Sequence, residues 1–268
     1  MAVRGRRAKG RQTQQIFIGV FCFAFFFAVV GAAGYYFFAR EPGPDKATLC
    51  PAKGPKGHYV LLVDKTDPLS FTQKQAFSVL LNDLVRKRLP EGYLLSVFVL
   101  GEDFKATAEP LVELCNPGSG ENSSKWTSNV DWARRDYEQK FIKPLMLQAE
   151  ALQGSKPAQA SPIFEMLQLV AINGFRRQGV KGERRLILIS DMLHNNGSFS
   201  MYRAAPDYSS FADTDYGRKT RADLQGVEAE LYYLINTPQF QTRRNQKFWE
   251  EYFDKSGARL VEVFPLGG

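Results

Sequence analysis

Residues Ile16 to Phe38 run for 23 positions without one charged side chain. At ~1.5 Å per residue a helix of that length reaches roughly 35 Å, enough to cross the hydrocarbon core of a bilayer. A cleaved signal peptide carries a shorter apolar stretch, usually ~7–15 residues. Cutting after Ala33 would also leave Tyr35, Tyr36, Phe37 and Phe38 at a new terminus. The run is therefore expected to be an uncleaved signal anchor at 16–38, with Tyr35 and Tyr36 in the interfacial belt. Arg4, Arg6, Arg7, Lys9 and Arg11 precede it with no acid among them, against Arg40, Lys46 and Lys53 just after it. The positive-inside rule then puts the basic stretch 1–15 in the cytoplasm and residues 39–268 outside it, in the periplasm if the source is a double-membraned bacterium.

The same five basic residues account for most of the formal charge of +7. Removing them from 35 Lys and Arg leaves 30 against 28 acidic residues, so the rest of the chain offers no basic field for nucleic acid. Of the three cysteines, Cys22 lies in the apolar run. Cys50 and Cys115 remain as one possible pair in an oxidising compartment, and a disulfide between them is expected.

Residues 39–58 carry Pro and Gly with little apolar content and read as a stiff tether. From Tyr59 onward strands alternate with helices. Tyr59–Val63 is an apolar run stopped by Asp64, and a helix is expected over 71–87 with Ser70 and Gln73 as its capping box. Strands follow at 93–100 and 111–115, then a Gly/Asn/Ser loop to about 127 and a helix over 130–152 kinked at Pro144. Ser161-Pro162 reads as an N-cap followed by N1 proline of another helix. Arg185–Ser190 is an unbroken apolar strand stopped by Asp191, after which a polar loop occupies 193–224. A strand at 227–235, a helix at 242–255 and a strand at 259–264 complete the chain. This alternation predicts an α/β fold: a three-layer, doubly wound, mostly parallel sheet preceded by one transmembrane helix. If the two most apolar strands are neighbours, Asp64 and Asp191 emerge together at the sheet's carboxyl edge. Two carboxylates converging there need a cation, a proton or a phosphoryl group.

Three segments, Val60-Leu-Leu-Val-Asp64-Lys-Thr66-Asp67-Pro68, Ala160-Ser161-Pro-Ile-Phe-Glu-Met-Leu and Arg185-Leu-Ile-Leu-Ile-Ser-Asp191, together resemble the von Willebrand factor A (vWA) family. The resemblance spans 59–268 in element order. It implies a metal-ion-dependent adhesion site in which Asp64 and Thr66 are the first acid and first hydroxyl, Ser161 replaces the second-loop Thr, and Asp191 is the last acid. Pro68 departs from that pattern, standing where a second Ser should supply a hydroxyl, so Asp67 or water must fill the gap. The implied ion is Mg²⁺, or Mn²⁺ or Ca²⁺, held by hard oxygens. Single motifs also have plain readings, Asp67 as a helix cap and Asp191 as loop chemistry among them. His194 lacks a second ligand at metal spacing and reads as a loop residue.

The function expected from this reading is a membrane-tethered binding module that docks another protein of a membrane or envelope complex. The cation site and the 193–224 loop would form the docking face. Phe199, Met201, Tyr202, Arg203, Tyr208, Phe211 and Tyr216 are the interface-type side chains of that loop, with Tyr202, Arg203, Tyr208 and Phe211 the expected partner contacts. The alternative is a metal-free structural subunit of an envelope complex. An enzyme is not expected: Asp64 and Ser190 resemble part of the haloacid dehalogenase-like phosphatases, but Thr66 stands in place of their second Asp. No Gly-rich phosphate loop, Gly-x-Ser-x-Gly elbow or CxxC occurs.

Overall fold

A computed structural model describes residues 4–39, 43–120, 130–154, 157–203 and 207–267. Parts of the expected 1–15, 39–58, 116–127 and 193–224 segments, Arg40 among them, lie outside the described residues. The chain divides into two units, Met1–Gly43 and Pro44–Gly268. The first is one helix, α1 (Arg4–Ala39), whose Gly19–Tyr36 stretch has a mean hydropathy of 1.8 and is long and apolar enough to cross a membrane.

The second unit is a six-stranded sheet in the order β3-β2-β1-β4-β5-β6. Its strands are β1 (His58–Asp64), β2 (Leu94–Leu100), β3 (Val112–Cys115), β4 (Arg184–Ser190), β5 (Glu228–Ile235) and β6 (Arg259–Gly267). All neighbours are parallel except β2 and β3. The sheet is thus the α/β, mostly parallel one expected, with an antiparallel edge. All seven residues of β1 are buried, because period-2 alternation sends its two sides into different cores. Val60 and Leu62, with Leu186 and Leu188 of β4, pack under α5 (Ile163–Leu169) and α8 (Arg243–Lys255). Tyr59, Leu61 and Val63, with Ile187 and Ile189, pack under α2 (Phe71–Asp83) and α4 (Lys143–Gln153).

The expected capping box is present: Gln73 N–H donates to Ser70 Oγ and Ser70 N–H to Gln73 Oε1. Around the Pro144 kink the helix is interrupted differently from the expectation. α3 (Val130–Asp136) passes into a π-helical turn, Tyr137–Ile142, and Pro144 falls in the first turn of α4. The wider turn accommodates a residue that has no N–H and crowds the carbonyl four positions back.

Two expectations need correction. The 39–58 stretch is not a free tether along its whole length, since the compact unit begins at Pro44. Asp45 Oδ1 closes a turn by accepting from Ala47 N, Thr48 N and Thr48 Oγ1, and Cys115 N–H donates to Thr48 O at 2.8 Å. Leu49 packs on the core, and the Cys50–Cys115 disulfide is formed, with an S–S distance of 2.08 Å. The 193–224 loop is also not uniformly open. It holds α6 (Tyr208–Ala212) and α7 (Asp215–Lys219), capped by Asp207 and Thr214. Gly217 lets the two approach, because a Cβ there would strike the Phe211 carbonyl.

The disulfide closes a loop across a sequence separation of 65, for which chain entropy alone predicts roughly 4 kcal/mol of stabilisation. Replacing both cysteines by serine should lower the unfolding free energy by about that amount in non-reducing denaturant titrations. Unchanged stability would mean that the docked 44–50 segment holds without the bond.

Candidate functional site

The chain runs outward from β1 to β2 and β3, then returns to β4 on the other side of β1, so the β1/β4 boundary is where the strand order reverses. Open α/β sheets bind ligands in the crevice at the carboxyl ends of such neighbours. Val63 pairs with Ile189, so Asp64 and Asp191 leave the sheet side by side.

Asp64 is only 5% exposed, and its carboxylate accepts three hydrogen bonds, from its own loop and from β4. Oδ1 accepts from Thr66 N at 2.9 Å and Thr66 Oγ1 at 2.6 Å, and Oδ2 accepts from Ser190 Oγ at 2.7 Å. Asp191 is as deeply buried and less well served. Oδ1 accepts from Leu193 N at 2.9 Å, whereas no N–H or hydroxyl donor reaches the buried Oδ2, and the Asp67 carboxyl lies within hydrogen-bonding reach of this side chain. Burial raises the pKa of Asp64 despite its three donors. Burial, followed by the charge of Asp64, raises that of Asp191 well above the usual carboxylate range, and Asp67 adds to both shifts.

The backbone after β4 is held in an uncommon shape. Met192 sits at φ 57°, a conformation that L-residues other than Asn and Asp rarely adopt. Ser190 Oγ accepts its N–H at 2.9 Å, and its carbonyl accepts from the fully buried Trp249 Nε1 at 2.8 Å. Gln241 Nε2 donates to the Asp191 carbonyl at 3.0 Å. Surrounding bonds over-determine the strained residue, which is the usual condition for strain to persist beside a functional group.

Ser161 does not act as the expected N-cap. Pro162 holds that position and makes no side-chain cap bond, while Ser161 forms a two-way backbone bridge with Asn195, 2.7 and 3.0 Å. Its hydroxyl is buried and unpartnered. Thr66, Asp67, Ser161, Asn195 and Tyr202 line one open cleft of about 220 Å³ together with Ala158 and Ala160. Burial and then the charges of Asp191, Asp67 and Asp64 raise the Tyr202 pKa above its ordinary value.

Of the expected partner contacts, Tyr202 is half-buried in this cleft and Arg203 is exposed. Tyr208 and Phe211 correct the expectation: at 9% and 2% exposure they belong to the core under α8, Phe211 stacked on Phe164 and both meeting Phe248 edge-on. His194 is a core residue too, fully buried, with burial pushing its pKa down to about 3. Ser190, Gln241 and Asn195 were not singled out as parts of this site by the sequence, since their partners are distant along the chain.

Among the described residues no three His, Cys, Asp or Glu side chains form a metal-holding group. At this edge of the sheet the buried oxygens without a partner include a carboxylate oxygen and a hydroxyl, Asp191 Oδ2 and Ser161 Oγ, and Thr66 Oγ1 keeps an unshared pair after donating to Asp64. Such hard donors fit a divalent cation that keeps several waters, as Mg²⁺ does. Pro68 adds no oxygen from its side chain.

No protein-family pattern matches the chain, and no curated protein does. Solved structures similar to it include the SpRpn10 VWA domain, at 9% identity and a TM-score of 0.40, covering 79% of this chain and 88% of that one. An aerotolerance-related membrane protein from Bacteroides fragilis matches at 15% identity and 0.32, covering 79% and 90%. The manganese-loaded TRAP protein of Plasmodium vivax matches at 16% and 0.35, covering 80% and 68%.

The raised carboxyl pKa values fix a sign. The folded chain binds protons more tightly than the unfolded one above the ordinary Asp value of 3.8, so metal-free stability should fall as pH rises through that window. Asp191→Asn keeps the bond from Leu193 and removes the charge, so it should raise the neutral-pH melting temperature and flatten the profile. Asp64→Ala should instead destabilise, because it strands three donors. Melting curves across pH in chelator check both.

Proposed function

We propose that this chain is a membrane-tethered, vWA-like protein-binding module that docks a partner through a divalent cation at Asp64, Thr66, Ser161 and Asp191. The carrying observation is the pair of buried, unpartnered oxygens, Asp191 Oδ2 and Ser161 Oγ, beside a second buried carboxylate at the strand-order reversal. A buried anion with an open coordination position is costly unless a cation or a proton neutralises it. Thr66 and Ser161 would serve as hydroxyl ligands. Asp64 would orient Thr66 and contribute negative charge, Asp191 would supply the free carboxylate oxygen, and Asp67 or water would stand in for the hydroxyl absent at Pro68. Tyr202 lines the cleft and Arg203, the next residue, is exposed, so both would be offered to a partner.

The module is read as single-pass, with 1–15 cytoplasmic, 16–38 in the membrane and the domain extracytoplasmic. The basic flank of α1 and the Cys50–Cys115 bond both support this, since structural disulfides persist in oxidising compartments. A metal-free structural subunit is the second reading, favoured by Pro68 and by carboxyls that burial already inclines toward protonation.

Isothermal titration of the full chain in detergent with Mn²⁺ and Mg²⁺ is expected to show binding that Asp191→Ala weakens ~10-fold or more. Saturating Mg²⁺ should raise the melting temperature of the native chain and leave that variant unmoved. No binding at millimolar ion would set the cation site aside in favour of the metal-free subunit.

A further inference from the structure

A partly buried polar cluster, with His194 at its buried end, joins three segments distant in sequence. Residues 194–201 fold back as a hairpin, with Met201 N–H donating to His194 O and Asn196 N–H to Phe199 O, both at 2.9 Å. Asn196 Oδ1 closes its turn by accepting from Ser198 N and Phe199 N. The Asn196 amide nitrogen donates to Glu165 Oε1 at 2.9 Å, on α5, and to Tyr216 Oη at 2.7 Å, on α7. Tyr216 Oη donates its proton to Glu165 Oε1 at 2.6 Å, and His194 Nε2 lies 3.0 Å from the same phenol oxygen.

The donor count leaves one arrangement. Tyr216 has a single proton, which goes to the carboxylate, so its oxygen accepts from Asn196 and from His194 Nε2–H. His194 is then neutral, in agreement with its depressed pKa, and its Nδ1 faces Phe164 N–H at 3.5 Å. Glu165 Oε2 is buried without a partner, so the carboxylate draws its hydrogen bonds from Tyr216 and Asn196 through Oε1. Losing either donor would leave a partly buried carboxylate underserved.

The hairpin secured by this cluster contains Asn195, whose backbone N–H and C=O make the two bonds that hold Ser161. We propose that Tyr216 and Glu165 are positioning residues for the Ser161 hydroxyl: they lock the 194–201 hairpin onto α5 and so fix where that hydroxyl meets the cleft. The proposal rests on the reading of Ser161 as a cation ligand. It also gives the 193–224 segment a role that its buried aromatics do not, as the element that holds a ligand in place.

Tyr216→Phe removes one hydroxyl and keeps the ring contacts with Phe199 and Phe211. In the full chain in detergent, amide exchange of the segments around Ser161 and Asn195 should quicken at least about tenfold, with β1 and β4 unchanged. Mn²⁺ affinity should fall ~10–100-fold, the range for groups that orient a metal ligand. On a Ser161→Ala background, Tyr216→Phe should cost no further affinity, because the group through which it acts is gone. Unchanged exchange overturns the proposal, as does faster exchange with unchanged affinity, or an equal additional loss on the Ser161→Ala background. If the native chain binds no Mn²⁺, the cation reading fails separately and the exchange result alone decides whether the cluster holds Ser161. Should Tyr216→Phe not fold, Glu165→Gln, which keeps the shape and one acceptor oxygen, is read by the same measurements.

Discussion

Everything in the compact unit depends on β1 being buried on both faces and paired in parallel on both edges. A strand so placed cannot be reached from its parallel neighbours by tight hairpins, so the chain must cross over through helices. Those crossovers cover the two faces and leave the carboxyl ends of β1 and β4 open between them. The acidic residues that terminate both strands therefore meet at one point, and the loops that follow are free to specialise around it.

The two acids are treated unequally by their surroundings. Asp64 is built into the framework: Thr66 and Ser190 satisfy its oxygens and stitch β1 to β4 beyond the last ladder pair. Asp191 is left with one oxygen unserved, while its main chain is pinned by Gln241 and by the strained Met192 turn that Trp249 anchors. A site with one acid committed to structure and one held open has a direction to it.

The sheet and its central acids were legible because they rest on local signals. Apolar runs of strand length ended by Asp give β1 and β4, and Ser70 with Gln73 gives the start of α2. What was misread depends on partners far along the chain. Ser161-Pro162 has the composition of an N-cap, but its role is fixed by a bridge to Asn195 that no local pattern contains. Tyr208 and Phe211 look the same in a polar loop whether they face a partner or the core, and only the position of α8 decides between the two. His194 is the loop residue it reads as, but its burial is not legible, since Tyr216 and Phe164 supply its surroundings. The Pro/Gly composition of 39–58 reads as an extended tether, whereas its described part turns at 46–48 and 52–53 and docks on β3. The only residue there that hinted at docking was Cys50.

That docking changes how tension would travel through the molecule. Without the bond, a pull on the chain at Pro44 would load residues 51–57 and then peel β1, the central strand, from its end. With Cys50 joined to Cys115, the load passes covalently to the short edge strand β3, and the intervening loop with β1, α2 and β2 drops out of the line of force. Pulled from its N-terminal end, the compact unit is thereby loaded first at its margin, and the strand that carries Asp64 is shielded.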